Sequence, residues 1–310
     1  MPPQSKPRRF RARTRAWVIS IVTLFVLLYA GVVSMYAGGE QADTLASCVD
    51  EVPTDAVLIE FAPQNVDAAG DRLGATFSVR SFGPMPQDSA GFLKEPLTVL
   101  VTENDGPRSF TVAAGQLPSA QPLRLITNGY IEQWPLDSHA VEPVFLATHL
   151  VDGVVTPLET VVCGSAHVPG WIVSGTTVAG TDDIMADGTP VPAVQITATR
   201  STATIAFGVV ILALMVVMPV LSLTVAILAF RGRRKVEATL MSWMAAMLFA
   251  TIPLRTFLPG APPIGSWVDF LIVLWVLAAL VIGLVIYVAA WVRWTPPAPA
   301  AAPAPPAPPA

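Results

Sequence analysis

Ala193 to Lys235 reads AVQITATRSTATIAFGVVILALMVVMPVLSLTVAILAFRGRRK, and three kinds of sequence meet in it. A β-favouring run ends at Arg200. An uncharged apolar stretch, about Thr204 to Phe230, is then long enough to cross a bilayer as a helix. Arg231, Arg233, Arg234 and Lys235 follow at once. A dense basic flank stays in the cytoplasm. This one segment therefore predicts that the chain before Thr204 lies outside the membrane and the chain after Phe230 inside.

The same test places three more spans. Trp17 to Ala37 is apolar and uncharged, and Lys6, Arg8, Arg9, Arg11, Arg13 and Arg15 precede it, which puts residues 1–16 in the cytoplasm. The competing reading is a cleaved signal peptide. The run is too long for an ordinary signal core, and polar Gly38 to Thr44 separate it from the lipobox-like Leu45-Ala46-Ser47-Cys48, so an uncleaved anchor is preferred. After the basic loop 231–237, a third span of about Ala238 to Leu258 returns outward to a short loop, 259–266, that has no Lys or Arg. The fourth span, about Trp267 to Trp291, heads back in and meets Arg293. Trp17, Trp243, Trp267, Trp291 and Trp294 lie near the span ends, as an aromatic belt requires. The tail 292–310 is mostly proline and alanine and is expected to be a cytoplasmic polyproline-like segment.

Residues 38–203 form the extracytoplasmic domain. Short β-favouring runs recur between Gly and Pro turn signals: AVLIEF from Ala56, LGATFSVRSF from Leu73, LTVLVTE from Leu97, RSFTVAA from Arg108, PLRLIT from Pro122, VEPVFLATHLVDG from Val141, ETVVCG from Glu159 and WIVSGTTVAG from Trp171. Many short strands with such punctuation predict an all-β, antiparallel, sandwich-like domain. The fold class is thus a membrane protein with that domain inserted between one N-terminal and three C-terminal transmembrane helices. Cys48 and Cys163, the only cysteines, both fall in the domain. Outside the cytoplasm they are expected to pair, closing a loop worth roughly 4 kcal/mol in the chain-entropy model. Two unrelated buried thiols are the alternative.

The 310-residue chain has 13% charged residues, a net charge of −4 and a mean hydropathy of +0.59. Its basic residues crowd the N-terminus and span flanks, which leaves no basic, aromatic-interleaved surface for nucleic acid.

Candidate chemistry is sparse. His139, His149 and His167 are the only histidines. With Asp137 they offer zinc-compatible ligands, but at none of the short spacings that mark such a site. Ser165 and His167 lack a nucleophile elbow. Asp182, Asp183 and Asp187 depart from the calcium-loop pattern and read as a polar hairpin loop. No catalytic set, metal or cofactor is expected. The middle of each span lacks the ionisable residues that mark proton and ion paths. Ser222, Thr224, Ser242 and Thr251 can bond to their own helix, Pro219 is expected to kink its span, and Glu237 sits at the inner rim. Arg255 and Asp269 flank the short outer loop. An ion pair between them is preferred over contact with a substrate.

A second stretch, Gly129 to Pro143 (GYIEQWPLDSHAVEP), centres on Trp134-Pro135-Leu136-Asp137. This aromatic-Pro-x-Asp step, together with a strand ending in Arg200 before a proline-bearing span, is similar at the level of a turn to pentameric ligand-gated channels. The span order differs, and the cysteines do not bracket the turn. The shared physical element is an Asp on a proline-stiffened turn paired with the Arg that ends the last strand. Asp137 is therefore expected close to Arg200, with no gating implied. An ordinary proline turn is the bland alternative.

The anchor, the WPLDSH turn, the span order and the stretch RGRRKVEATLMSWMAAMLFATIPLRTFLPGAPPIGSWVDF (Arg231 to Phe270) together resemble a family of actinobacterial membrane proteins, the domain-of-unknown-function family 4436. Many relatives carry a Tyr-Pro-Phe-Asp-type turn where this chain has Trp134 to Asp137. The resemblance implies architecture and no activity. The functional expectation is a non-enzymatic plasma-membrane protein, both termini cytoplasmic, whose external domain binds another envelope component, protein or lipid, or self-associates. A homo-oligomeric channel or transport subunit is the alternative, and a metal-dependent extracytoplasmic enzyme comes third.

Overall fold

The computed structural model describes residues 54–164, 167–178, 185–186, 189–191 and 193–294, and within 19–37 all but 21, 24, 25 and 28. Cys48, Ser165, Asp182, Asp183, Asp187, the basic N-terminus and the Pro/Ala tail lie outside the described residues. The chain divides into two compact units, Met1–Val209 with Pro262–Ser266, and Val210–Ala261 with Trp267–Ala310.

The first unit is built on three four-stranded sheets. In one, the order is β10 (Thr160–Gly164), β1 (Val57–Asp67), β2 (Arg72–Phe82), β5 (Gln121–Ile126). The second runs β4 (Ser109–Val112), β3 (Leu97–Val101), β8 (Phe145–Val151), β9 (Val154–Leu158). The third runs β11 (Trp171–Val178), β14 (Ala193–Arg200), β7 (Ser138–Val141), β6 (Asn128–Gly129). A two-stranded hairpin, β12 (Met185–Ala186) with β13 (Thr189–Pro190), stands apart.

Period-two patterning explains the strands. On β2, Leu73, Ala75, Phe77 and Val79 are buried while their neighbours are less so. Inward-facing residues of all three sheets join one core. At its centre Phe145 meets Phe61 and Phe77 edge-on, with ring centroids 5.8 and 6.2 Å apart.

The antiparallel expectation needs one correction, because β1 and β10 pair in parallel. The cause is a sheet switch. β9 ends at Leu158 in one sheet and β10 begins at Thr160 in another, so β10 arrives beside β1 from across the core. Glu159 spans the corner, and its carbonyl accepts the Val57 N–H at 2.7 Å. The buried Thr160 hydroxyl donates to the Leu158 carbonyl at 3.0 Å and accepts from the Ala147 N–H at 3.1 Å, so both roles of this buried hydroxyl are used at the corner.

The second unit is helical. α1 (Thr202–Phe230) runs into it, α2 (Ala238–Thr256) follows, and a π-helical turn, Asp269–Val273, leads into α3 (Leu274–Trp294). All three are long and apolar enough to cross a membrane. Pro219 and Pro253 lie inside α1 and α2. Small residues let the helices approach: Ala226, Ala229 and Ala290 are buried with Met244 and Tyr287. A Cβ at Gly283 would lie 2.8 Å from the Ser222 hydroxyl, so this crossing needs glycine. Outward faces carry Phe249, Ile252, Trp275 and Val285, all well exposed, which suits a hydrocarbon surround. The described residues of 19–37 are also helical.

Candidate functional site

Charge at the strand-to-helix joint is concentrated in one place. β14 buries Val194, Ile196, Ala198 and Arg200 on a single face, so a guanidinium occupies the last position of an otherwise apolar row. A charge there is sustained only if paired and hydrogen-bonded. The partner is Asp137. Arg200 Nε donates to both carboxylate oxygens at 3.0 and 3.1 Å, and a terminal nitrogen donates to Oδ2 at 3.0 Å. The Arg200 and Asp137 side chains are 2% and 0% exposed.

Register assembles the rest. Trp171 of β11 lies opposite Arg200, and His139 of β7 lies opposite Ala198, so both rings share the inner face with the ion pair. The guanidinium carbon sits 4.2 Å from the centre of the Trp171 ring, a cation–π contact in a desolvated setting. His139 packs edge-on against the same indole, with centroids 5.7 Å apart. Its Nε2 lies 3.3 Å from Asp137 Oδ2, which assigns the ring proton to Nε2, donated to the carboxylate. His139 Nδ1 is buried without a hydrogen bond, with Asp71 Oδ1 4.0 Å away.

Burial alone would push the Asp137 carboxyl up. The hydrogen bonds from His139 and Arg200, and the Arg200 charge, outweigh it and hold the carboxyl below its ordinary value.

The turn that delivers Asp137 is the WPLD step. A 3-10 turn, Ile131–Gln133, precedes it, and the Trp134–Pro135 peptide is cis. Trp134 is buried, whereas Leu136 is 75% exposed. Gly129 pairs with His139 across β6 and β7. A Cβ there would meet the imidazole and lie 2.6 Å from the Ser138 carbonyl oxygen, so only glycine lets β6 lie against this histidine.

The joint continues into the helix. Ser201 caps α1, its hydroxyl accepting the Thr204 N–H at 3.2 Å. The Gly170 carbonyl, at the turn before β11, accepts both the Ser201 N–H and the Thr204 hydroxyl, each at 3.0 Å. The turn leading into β11, the end of β14 and the helix start are thus tied to one another.

A second feature lies on the outer face of the sheet β4-β3-β8-β9. Thr111, Thr98 and Thr148 stand in register across three strands, beside Leu100, Leu150 and Val155, and these residues line a groove of about 350 Å³. The β8–β9 hairpin carries Leu150, Val151, Val154 and Val155 in the open, with Val154 64% exposed. His149 also lines the groove, 3.9 Å from Glu95.

Other candidates do not converge. Among the described residues no three His, Cys, Asp or Glu side chains come together as a metal site. His139, His149 and His167 stay apart, and His167 is exposed on its loop. Cys163 is buried on β10, and its expected partner Cys48 falls outside the described residues. In the helical unit Arg255 and Asp269 meet, Nε to Oδ1 at 3.0 Å and a terminal nitrogen to Oδ2 at 2.8 Å. Sequence reasoning had not joined Trp171 or Gly129 to the Asp137 cluster. The available signal was register: an arginine ending an inward-facing row predicts an aromatic or acidic residue opposite it.

The architecture is that of an all-β domain followed by three apolar, membrane-length helices. Residues 48–198 match the family model described as Domain of unknown function (DUF4436), and the β domain belongs to that family. Residues 200–294 match a separate model, Domain of unknown function (DUF8686). The Arg231 to Phe270 stretch, on which the resemblance to the first family partly rested, falls in the second model. No curated protein matches the chain.

Proposed function

We propose that this is a non-enzymatic plasma-membrane protein whose extracytoplasmic β domain binds another envelope protein through the outer face of the β4-β3-β8-β9 sheet. The carrying observation is the β8–β9 hairpin, where four aliphatic side chains stand exposed beside a groove lined in part by Thr98, Thr111 and Thr148. Mixed apolar and hydroxyl character suits a protein interface, with an apolar centre and hydrogen bonds around it. The positive-inside rule supports cytoplasmic termini and an external domain. The Asp137–Arg200 cluster is assigned a structural role, fixing the strand end from which α1 starts. A Cys48–Cys163 disulfide would hold the N-terminal arm to β10. It predicts faster migration of the unreduced protein in a denaturing gel, lost in C48S or C163S.

The test is a photo-crosslinker at Val155 in the full-length protein in its native membrane, with the native mass of the extracted complex. A defined envelope protein crosslinked from Val155, and lost with L150N/V154N, supports the reading. A ring of identical copies without a second protein favours the channel alternative. Crosslinks to lipid alone overturn the protein-partner assignment.

A further inference from the structure

The end of the helical unit that carries the basic loop holds a cavity of about 530 Å³. Val225 and Leu228 of α1 and Leu240 of α2 give it an apolar wall, while Arg234 and Lys235 stand on its rim. The loop bearing them is pinned at both ends. α1 closes in a Schellman motif, with the Gly232 N–H on the Ala229 carbonyl at 2.9 Å, the Arg233 N–H on the Leu228 carbonyl at 3.0 Å, and Gly232 at φ 69°. At the other end the hydroxyl of buried Tyr287 accepts the Glu237 N–H and donates to the Glu237 carbonyl, both at 2.9 Å. One phenol thus satisfies both backbone groups of the residue that precedes α2.

Charge here is unbalanced. Among the described residues, none of Arg231, Arg233, Arg234 and Lys235 forms an ion pair with an acid. Glu237 contributes a carboxylate to the cavity lining, against two cations of the same lining. A cavity lined both by exposed cations and by aliphatic side chains presents the two halves of a phospholipid's chemistry together. A soluble anion would leave the aliphatic wall unused, and a neutral apolar ligand would leave the cations unused.

We propose that this cavity binds an anionic phospholipid, its phosphate against Arg234 and Lys235 and its acyl chain along Val225, Leu228 and Leu240. Basic pockets between membrane helices hold such headgroups, and a Lys or Arg near an anionic lipid surface contributes about 1 kcal/mol. Removing two cations therefore weakens binding about 30-fold.

The experiment uses the full-length protein in neutral detergent and titrates phosphatidylglycerol, following retained lipid by native mass spectrometry and the unfolding midpoint. Wild type is expected to retain phosphatidylglycerol over phosphatidylcholine and to be stabilised by it. R234Q/K235Q should lose that preference by about 30-fold, while R234K/K235R keeps it. The lipid-free midpoint shows whether each variant is folded. The control R231Q/R233Q removes equal charge from the same loop at residues that do not line the cavity, and should bind nearly as wild type. The proposal is overturned if phosphatidylcholine is retained equally, if R234Q/K235Q binds as wild type, or if R231Q/R233Q loses as much. Equal stabilisation by inorganic phosphate alone would make it a soluble-anion site and likewise overturn it.

Discussion

Two Arg–Asp pairs with nearly the same geometry sit in different solvents. Asp137–Arg200 is shut inside the β domain, with side chains at most 2% exposed, whereas Arg255–Asp269 in the helical unit is 15% and 17% exposed. Distances do not separate them, since both are two-pronged contacts of about 3 Å. Their surroundings do. Asp137 has a histidine on its second oxygen, and Arg200 has an indole against its face, so each charge meets something polar or polarisable wherever water is missing. Hydrogen bonds of similar length should therefore have unequal consequences when broken, because the penalty comes from the stranded charge.

The largest expected effect is at the buried pair. D137A or R200A should destabilise the β domain by about 3–5 kcal/mol, the usual cost of leaving one member of a buried pair behind. This can be read from urea unfolding of the full-length protein followed by tryptophan fluorescence. The double variant D137L/R200M, which leaves no charge stranded, should recover much of that loss. G129A comes next at about 1–3 kcal/mol, from forced repacking against His139, and a neutral G129A would break the account of that close approach. R255A should cost about 1–2 kcal/mol, less than at the buried pair because Asp269 keeps part of its exposure, by thermal unfolding in detergent. Equality of R255A and D137A would dissolve the contrast between the two pairs.

The smallest effect is in pH dependence. A carboxyl held below its unfolded value contributes stability that is fully present above the unfolded value, about 3.9. That contribution is lost as pH falls through the folded-state value. The β domain should thus weaken on acidification below about pH 4, and D137N should flatten that portion of the curve. An unchanged acid slope in D137N would assign it to other carboxylates.

Much of this was legible in the chain, and the reasons for the remainder are physical. The helices were readable because an uncharged apolar run of that length has few other places to be. Asp137 and Arg200 were readable as partners because each type is costly where its neighbours are apolar. β9 was missed because Pro157 interrupts its β-favouring pattern. The structure makes it an edge strand, where the missing N–H costs no ladder bond to a further neighbour. Pro122 on β5, another edge strand, and Pro63 beside a register shift in β1 follow the same rule. The parallel β1–β10 pair was invisible because pairing partners depend on where the chain crosses the core, and Glu159 looks like any other acidic residue between two strands. His139 was noticed only as a metal ligand. Its place on Asp137 is set by a spacing of two along β7 after a turn, which local composition does not reveal.

The order of the third sheet has a consequence for biosynthesis. β14 lies between β11 and β7, yet it is the last strand of the domain to leave the ribosome. Until residue 200 has emerged, β7 and β11 have no common neighbour and Asp137 has no counterion. The domain thus waits with an open seam while its earlier strands assemble. The residues made next are those of α1, so closure of the seam and arrival of the long apolar helix that follows the domain are nearly simultaneous events in the life of the nascent chain. A ribosome stalled before Arg200 should display a domain that proteases cut readily, and one stalled a few dozen residues later a domain that they do not.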